Sequence, residues 1–223
     1  MKGGYKETEK YWDKVFKQED LYDPFEKLSY LEIEEAIQWL CKDSDFILDF
    51  GCGNGKVLNR CLNYKVKKVY GIDLSEQAIN IAKKVVNNNQ LQDKCNYLYG
   101  GIDLLKKVND NTYDGVILFN IIDNLKPNDA KFVLKEIYRI LKSKGKIILK
   151  LNPYFNPNEL EKDNNFKKIK KDFYKERSGL YFWNISNKQI KKIIASYYKI
   201  CKYKEIEFKD YNMINRVYYL KKP

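Results

Sequence analysis

The sequence contains no histidine, which is the commonest general base at neutral pH and the commonest metal-binding side chain. Hydrolases that use a Ser-His-Asp or a Cys-His arrangement are therefore excluded. Any proton acceptor in this chain has to be an Asp, Glu, Lys or Tyr side chain. For the same reason we expect no metal site.

Cysteine motifs and long apolar runs are also lacking. The five cysteines are odd in number and scattered, without the C-x-x-C motif that indicates a zinc or redox site. No stretch approaches the roughly 20 uninterrupted apolar residues of a membrane-spanning helix. The first 20 residues are charged rather than signal-like. We expect a cytoplasmic protein with reduced cysteines and no membrane partner.

Arginine is scarce, although the net charge is +12 from 42 basic and 30 acidic residues. The arginines are Arg60, Arg139, Arg177 and Arg216. Bidentate recognition of phosphate and of guanine favours arginine, so a surplus of lysine is only weak evidence for nucleic-acid binding. The densest basic run, residues 167–171, fits a solvated helix face better than an anion-binding patch. Nucleic acid stays open as a partner but is not favoured.

What the sequence does contain is a glycine loop between an apolar run and a helix-forming stretch. Residues 47–55 place Asp49 at the end of the apolar run and Gly51, Gly53 and Gly55 in the loop. Glycine permits a tight turn and the close approach of a ligand, and amides at a helix start attract an anionic group. Asp49 suits a cationic or amine-bearing group. The pattern predicts a nucleotide-type cofactor site.

A second acid follows the glycine loop at the spacing of a ribose-binding residue. Residues 69–73 read as another buried strand, and its final residue, Asp73, lies about 20 residues after the loop. A nicotinamide dehydrogenase is the nearest alternative. Its G-x-G-x-x-G pattern would require a glycine at the position of Lys56, so we disfavour it.

Residues 47–55 and 70–75 resemble the class I S-adenosylmethionine-dependent methyltransferases. Residues 113–120 are similar to the fourth strand of that family, and residues 136–146 are similar to its helix and turn before strand five. These motifs cover about residues 45–151 in the expected order. The resemblance implies an α/β, doubly wound, Rossmann-like fold with a mostly parallel seven-stranded sheet and an antiparallel last strand.

The resemblance also implies that S-adenosyl-L-methionine is the cofactor. Asp49 would lie near the methionine ammonium, loop amides would serve its carboxylate, and Asp73 would accept hydrogen bonds from both ribose hydroxyls. Gly101 stands where the family often has an acid after strand three. A backbone contact from Gly101 or Ile102 to adenine is therefore favoured over a side-chain contact from Asp103. The expected cofactor contacts are Asp49, Gly51, Cys52, Gly53, Gly55, Asp73, Leu74, Gly101, Ile102, Asp103 and Asn120.

We expect a single domain with a helical cap. Residues 1–44 would form the cap and residues 45–223 the cofactor-binding domain. One helical stripe of the cap that should face the sheet consists of Ile33, Ala36, Ile37 and Leu40. About fifty residues separate strand five from the next predicted strand, more than a crossover helix needs. We predict that residues 152–190 form a substrate-side insertion.

Aromatic clusters in the cap and in the insertion are the predicted substrate side. The candidates are Trp12, Tyr154, Tyr181 and Trp183. Core packing is an open alternative for these side chains. The candidate catalytic residues are Asp123, as a base after strand four, and Tyr11, as a lid residue. For Asp123, helix capping or solvation is the alternative.

Methyl transfer needs no fixed catalytic residue. It is a displacement at an activated sulfonium methyl, so the enzyme mainly aligns a nucleophile about 3 Å from the methyl and excludes water. We predict direct displacement onto a small-molecule acceptor by a monomer or homodimer. Two alternatives stay open: a methyltransferase that acts on RNA or protein, and a cofactor-binding regulator without transfer activity.

Overall fold

The computed structural model describes residues 4–209 and 213–223 and is built around a seven-stranded sheet, with a smaller three-stranded sheet beside it. The strands are β1 (Phe46–Phe50), β2 (Lys68–Asp73), β3 (Cys95–Tyr99), β4 (Tyr113–Phe119), β5 (Leu141–Leu151), β6 (Phe166–Lys170), β7 (Phe173–Glu176), β8 (Tyr181–Trp183), β9 (Lys199–Phe208) and β10 (Met213–Lys221). The helices are α1 (Lys6–Phe16), α2 (Leu31–Cys41), α3 (Lys56–Arg60), α4 (Glu76–Asn88), α5 (Pro127–Ile140), α6 (Pro157–Leu160) and α7 (Asn187–Ile194). The first three residues of the predicted 1–44 cap lie outside the described residues.

The main sheet has the strand order β3-β2-β1-β4-β5-β10-β9. The pairs β1–β2, β1–β4, β2–β3 and β4–β5 are parallel, and β10 is antiparallel to both β5 and β9. The predicted mostly parallel sheet with an antiparallel last strand is confirmed. One boundary differs, because β5 begins at Leu141, where the sequence predicted a turn that reaches Lys146.

Alternate residues of the central strands enter two separate cores. In β1, Leu48 and Phe50 pack on the side covered by α5 and α7, whereas Ile47 packs on the side covered by α2 and α4. Parallel strands that are buried on both faces are continuously apolar, as these are. The predicted stripe of α2 is confirmed as a core face, since its members are buried against the sheet: Ile33, Ala36, Ile37 and Leu40.

The smaller sheet consists of β6, β7 and β8 in antiparallel order, and it lies within the predicted 152–190 insertion. The basic run at 167–171 forms most of β6, so the prediction of a helix face was wrong. Phe166 explains the difference, because its ring packs against Tyr174 and Phe182 and holds the strand in place. Trp183 at the end of β8 is buried in the core on the side of the main sheet that α5 and α7 cover.

None of the helices in the described ranges has the length and apolar character needed to cross a membrane.

Asp123 is a fully buried acid that joins three chain segments. Its Oδ2 accepts a hydrogen bond of 2.6 Å from the amide of Asn152, and its carbonyl accepts one of 2.7 Å from the amide of Trp183. Burial raises the pKa of Asp123 to about 6, against the opposing effects of the Asn152 amide and of the nearby Arg216 and Lys150 cations. Asp123 therefore holds the loop after β4 against the end of β5.

We predict that Asp123 makes the protein less stable as the pH rises through the weakly acidic range. Its pKa is higher in the folded chain than the unfolded value of about 4, so its contribution is complete below pH ~4 and is lost through pH ~6. The difference in unfolding free energy between wild type and Asp123→Asn should fall by about 3 kcal/mol between these limits. Denaturant unfolding at several pH values measures it, and parallel curves for the two proteins would contradict the assignment.

Candidate functional site

A cavity of about 330 Å³ lies beyond the carboxyl ends of β1, β2, β3 and β4, under the inner face of α1. Ligands of parallel α/β sheets bind at this edge, where the strand order reverses. The predicted cofactor residues that line the cavity are Gly51, Gly53, Asp73, Leu74, Gly101, Ile102, Asp103 and Asn120. The sequence motifs of four separate loops therefore meet at one cavity.

Asp73 is held by two backbone amides, and each of its oxygens uses one of them. Oδ2 accepts a hydrogen bond of 2.7 Å from Gly53, and Oδ1 accepts one of 2.8 Å from Ser75. Burial raises the pKa of this carboxyl, and these amides act against the rise. Each oxygen keeps a further lone pair. Two adjacent hydroxyls, such as those of a ribose, fit this acceptor.

The amides of the glycine loop are already used within the protein. Gly51 and Cys52 both donate to the carbonyl of Ile72, and Gly53 donates to Asp73. The amide of Lys56, at the start of α3, donates to the side chain of Asn54. The amides of Gly51, Cys52 and Gly53 are therefore not available to the cofactor carboxylate. A contact from another amide of the loop stays a prediction.

Two of the predicted loop residues serve packing and do not line the cavity. Gly55 has φ +82° and contacts Tyr97, whose ring occupies the place of any side chain there. Cys52 is buried, and its sulfur packs towards Gly71. Gly53, by contrast, lines the cavity with φ +53° and is covered by the ring of Phe16.

Asp49 is buried below the loop and does not line the cavity. Its Oδ1 has no hydrogen-bond partner within the described residues. Burial raises the pKa of Asp49 well above its usual range, and the charge of Asp73 adds to the rise. A cationic group of a ligand, reached directly or through water, would lower the cost of ionising this acid. That property fits the predicted ammonium contact.

Helix α1 roofs the cavity with one face. Tyr5, just before the helix, lies on this face with Thr8, Trp12 and Phe16. The Oγ of Ser75 donates a hydrogen bond of 2.7 Å to Asp13 and fixes one part of the helix to the start of α4. Of the roof residues, Tyr5 and Thr8 were not predicted from the sequence. The helical spacing from Trp12 could have identified them.

Tyr11 lies on the outer face of α1 and not in the cavity. It lines a surface groove together with Lys10, Lys14 and Arg177, and the edge of its ring contacts Trp12 at a centroid distance of 5.2 Å. Successive residues of a helix point about 100° apart, so both aromatics cannot share the roof. The prediction of Tyr11 as a lid residue over the cofactor is corrected to a position on the outer groove.

The remaining predicted residues lie around the cavity but do not line it. Tyr154 is exposed, and Trp183 belongs to the core. Tyr181 stacks on Phe173 at 5.5 Å and meets the ring of Tyr5 at 5.7 Å, so it supports the roof from behind. Asp123 is turned towards the Asn152 amide. A direct catalytic contact by Asp123 finds no support in this geometry.

Polar residues after β4 were only partly predicted. Asn120, which was expected, has φ +54° and lines the cavity together with Asn124, which was not expected. Within the described ranges, no group of three or more acids and cysteines could hold a metal ion.

Comparisons with known proteins agree with this site. The sequence profile of a family described as "Methyltransferase domain" matches residues 48–149. An uncharacterized protein of Methanocaldococcus jannaschii is 31% identical over 186 residues, which are 81% of this chain and 66% of that protein. The tRNA N(3)-methylcytidine methyltransferase trm140 of Schizosaccharomyces pombe is 25% identical over 203 residues, 86% of this chain and 64% of that protein.

Demethylmenaquinone methyltransferase of Lactobacillus johnsonii is 34% identical over 120 residues, 52% of this chain and 48% of that protein. The chain thus spans less than two thirds of the length of these curated relatives.

Solved structures share the fold over nearly the whole chain. A protein of Pyrococcus horikoshii has a TM-score of 0.73 at 18% identity and covers 94% of this chain and 99% of its own. The N-methyltransferase NodS of Bradyrhizobium japonicum, solved with S-adenosyl-L-homocysteine, has a TM-score of 0.69 at 11% identity, with 97% and 99% covered. The family match, the strand order and the cavity give one conclusion. The chain belongs to the class I S-adenosyl-L-methionine-dependent methyltransferases.

Proposed function

We propose that the protein transfers the methyl group of S-adenosylmethionine by direct displacement to a small-molecule acceptor. The observation that carries this proposal is the roofed cavity, in which α1 closes over the ribose-binding acid and the glycine loop. Such an enclosure suits an acceptor that is surrounded together with the cofactor, and it excludes water from the reaction.

The cavity residues fit the cofactor group by group. Asp73 offers acceptors for the ribose hydroxyls, and Leu74 and Ile102 offer apolar contact for adenine. Asp49 lies below the loop and would ionise when the ammonium comes near, directly or through water. Asp103 lies at the exposed rim and forms an ion pair of 3.7 Å with Lys106, so it contributes to the adenine end of the cavity. When bound, the cofactor supplies an activated methyl group.

The protein contributes alignment and not a general base. Of the described side chains, the ionisable ones that line the cavity are Tyr5, Asp73 and Asp103. The Tyr5 hydroxyl donates to Asp129 at 2.6 Å, and burial raises its pKa, so it holds its proton. Positioning alone can contribute about 7 to 11 kcal/mol to a transfer of this kind.

We further propose the domain organisation that the sequence predicted: a cap at 1–44, a cofactor-binding domain at 45–223, and a substrate-side insertion at 152–190. Two contacts support the last assignment. Tyr181 of the insertion packs on Tyr5 of the roof, and Lys175 forms an ion pair of 2.6 Å with Glu7 of α1. A shift of the insertion would therefore move the roof.

One observation favours a second candidate function, methyl transfer to RNA. The outer groove of α1 carries Lys10, Lys14 and Arg177, and the neighbouring strand β6 exposes further lysines. One relative is named as a tRNA methyltransferase, whereas another is named for demethylmenaquinone. Docking of a polyanion on this groove would depend steeply on salt, but docking of a neutral small molecule would not.

The proposed function predicts that methyl label from the cofactor appears in small molecules. Purified protein, methyl-labelled S-adenosylmethionine and either a metabolite extract or total RNA should yield labelled metabolites at a rate that added salt hardly changes. Labelling of RNA at a rate that falls steeply with added salt would support the second candidate. Cofactor binding without S-adenosylhomocysteine formation in either pool would identify a regulator.

We predict that Asp73→Ala weakens the binding of S-adenosylhomocysteine by about one to three decades, because hydrogen bonds to a charged acceptor are lost. Isothermal titration calorimetry measures the affinity. The matched control is Asp93→Ala, which removes an exposed acid from the loop before β3 and should change nothing. Unchanged affinity in a folded Asp73 variant would remove this residue from the site.

Trp12 and Tyr11 are neighbouring aromatics of α1 whose rings contact each other at 5.2 Å, but only Trp12 lines the cavity. Trp12→Ala should weaken S-adenosylhomocysteine binding about ten-fold through lost apolar contact. Tyr11→Ala should leave the affinity within about two-fold. The same titration compares the two variants, and equal losses in both would show that α1 acts only through its stability.

A further inference from the structure

Two asparagine side chains after β4 line the cavity, and each is anchored by its amide nitrogen. The Nδ2 of Asn120 donates a hydrogen bond of 2.6 Å to Oδ1 of Asn152 at the end of β5. The Nδ2 of Asn124 donates one of 2.6 Å to the carbonyl of Asn120. Asn152 does not line the cavity, so the anchor of Asn120 lies outside it.

The anchors leave the opposite end of each carboxamide without a partner. Within the described residues, neither Asn120 Oδ1 nor Asn124 Oδ1 accepts a hydrogen bond. A carbonyl oxygen accepts and never donates. Both residues line the cavity, so these oxygens are available to a ligand that donates hydrogen bonds.

The remaining polar side chains of the cavity do not compete for this role. Tyr5 donates to Asp129, and Asp73 and Asp103 face the ribose and adenine ends. Among the described residues, no lysine or arginine lines the cavity. Thr8 Oγ1, in the roof, is the single free hydroxyl of the lining and can donate or accept. The part of the cavity after β4 is therefore dominated by hydrogen-bond acceptors.

We propose that Asn120 and Asn124 select an acceptor nitrogen that carries N–H groups, so that the substrate is an amine or an amino-substituted heterocycle. This inference rests on the proposed function and names its substrate class. Hydrogen bonds from the N–H groups to the two oxygens fix the nitrogen and turn its lone pair away from them, towards the methyl group. A hydroxyl or thiol offers one hydrogen and satisfies only one of the two oxygens.

The transfer itself balances without a protein base. The nitrogen lone pair forms the new bond to the methyl carbon while the carbon–sulfur bond breaks, and that electron pair stays on sulfur as S-adenosylhomocysteine is released. The methylated nitrogen then carries an excess proton, which it gives to water. Amines suit this site because the neutral nitrogen is nucleophilic before it loses a proton.

Sinefungin tests this assignment without knowledge of the substrate. This cofactor analogue carries a primary ammonium in place of the methyl sulfonium, so its N–H groups reach the atoms that surround the methyl group. In Asn124→Leu, which keeps the approximate shape but removes both the oxygen and the anchoring Nδ2, sinefungin affinity should fall by about ten-fold or more. S-adenosylhomocysteine affinity should change by less than about two-fold, because this ligand has no donor there.

A second variant separates loss of the oxygen from a folding defect of the first variant. Asn120→Gly removes the other oxygen, and glycine tolerates the φ of +54° at this position. It should lower the affinity for sinefungin by a larger factor than the affinity for S-adenosylhomocysteine. The control Asn63→Leu changes an exposed asparagine that donates to the Phe25 carbonyl far from the cavity. It should change the affinity for neither ligand.

If the two variants lost affinity for both ligands equally, or lost affinity for neither, the inference would be overturned and the proposed function would stay intact. Failure of wild-type protein to bind either ligand would instead contradict the proposed function.

Discussion

The carboxylate of Asp73 is the interaction on which the rest of the site depends. It joins the glycine loop after β1 to the turn after β2 through the amides of Gly53 and Ser75. Ser75 in turn caps α4, since its hydroxyl accepts from the amide of Ala78, and the same hydroxyl donates to Asp13 of α1. One acid at a strand end thus connects loop, helix and roof.

The arrangement of the loop amides shows what kind of ligand this site suits. In phosphate-binding loops the amides point at the ligand, and the helix dipole favours its negative charge. Here Gly51, Cys52 and Gly53 donate within the protein, while Asp49 retains an unpartnered oxygen. The site therefore offers carboxyl groups and apolar surface. These are the properties that a cofactor with an ammonium, a sulfonium and no phosphate requires.

The sheet was predicted from the resemblance to a known family, and the acids at its edge from the apolar runs that they end. The apolar runs of the strands and the stripe of α2 are set by neighbouring residues. The smaller sheet was not predicted, because the residues of β6 are typical of a solvated basic run. The strand is held by contacts of Phe166 with Tyr174 and Phe182, which come later in the chain. The orientation of Tyr11 and the burial of Trp183 likewise depend on packing between segments far apart in sequence.

The roof helix α1 has only 11 residues, and its first turn has no side-chain cap. Isolated helices shorter than about 12 to 15 residues are marginal in water, so α1 owes its structure to docking through Tyr5, Asp13 and the cavity face. Undocking and melting are then one event. Opening of the roof over a bound molecule is therefore coupled to local unfolding of α1.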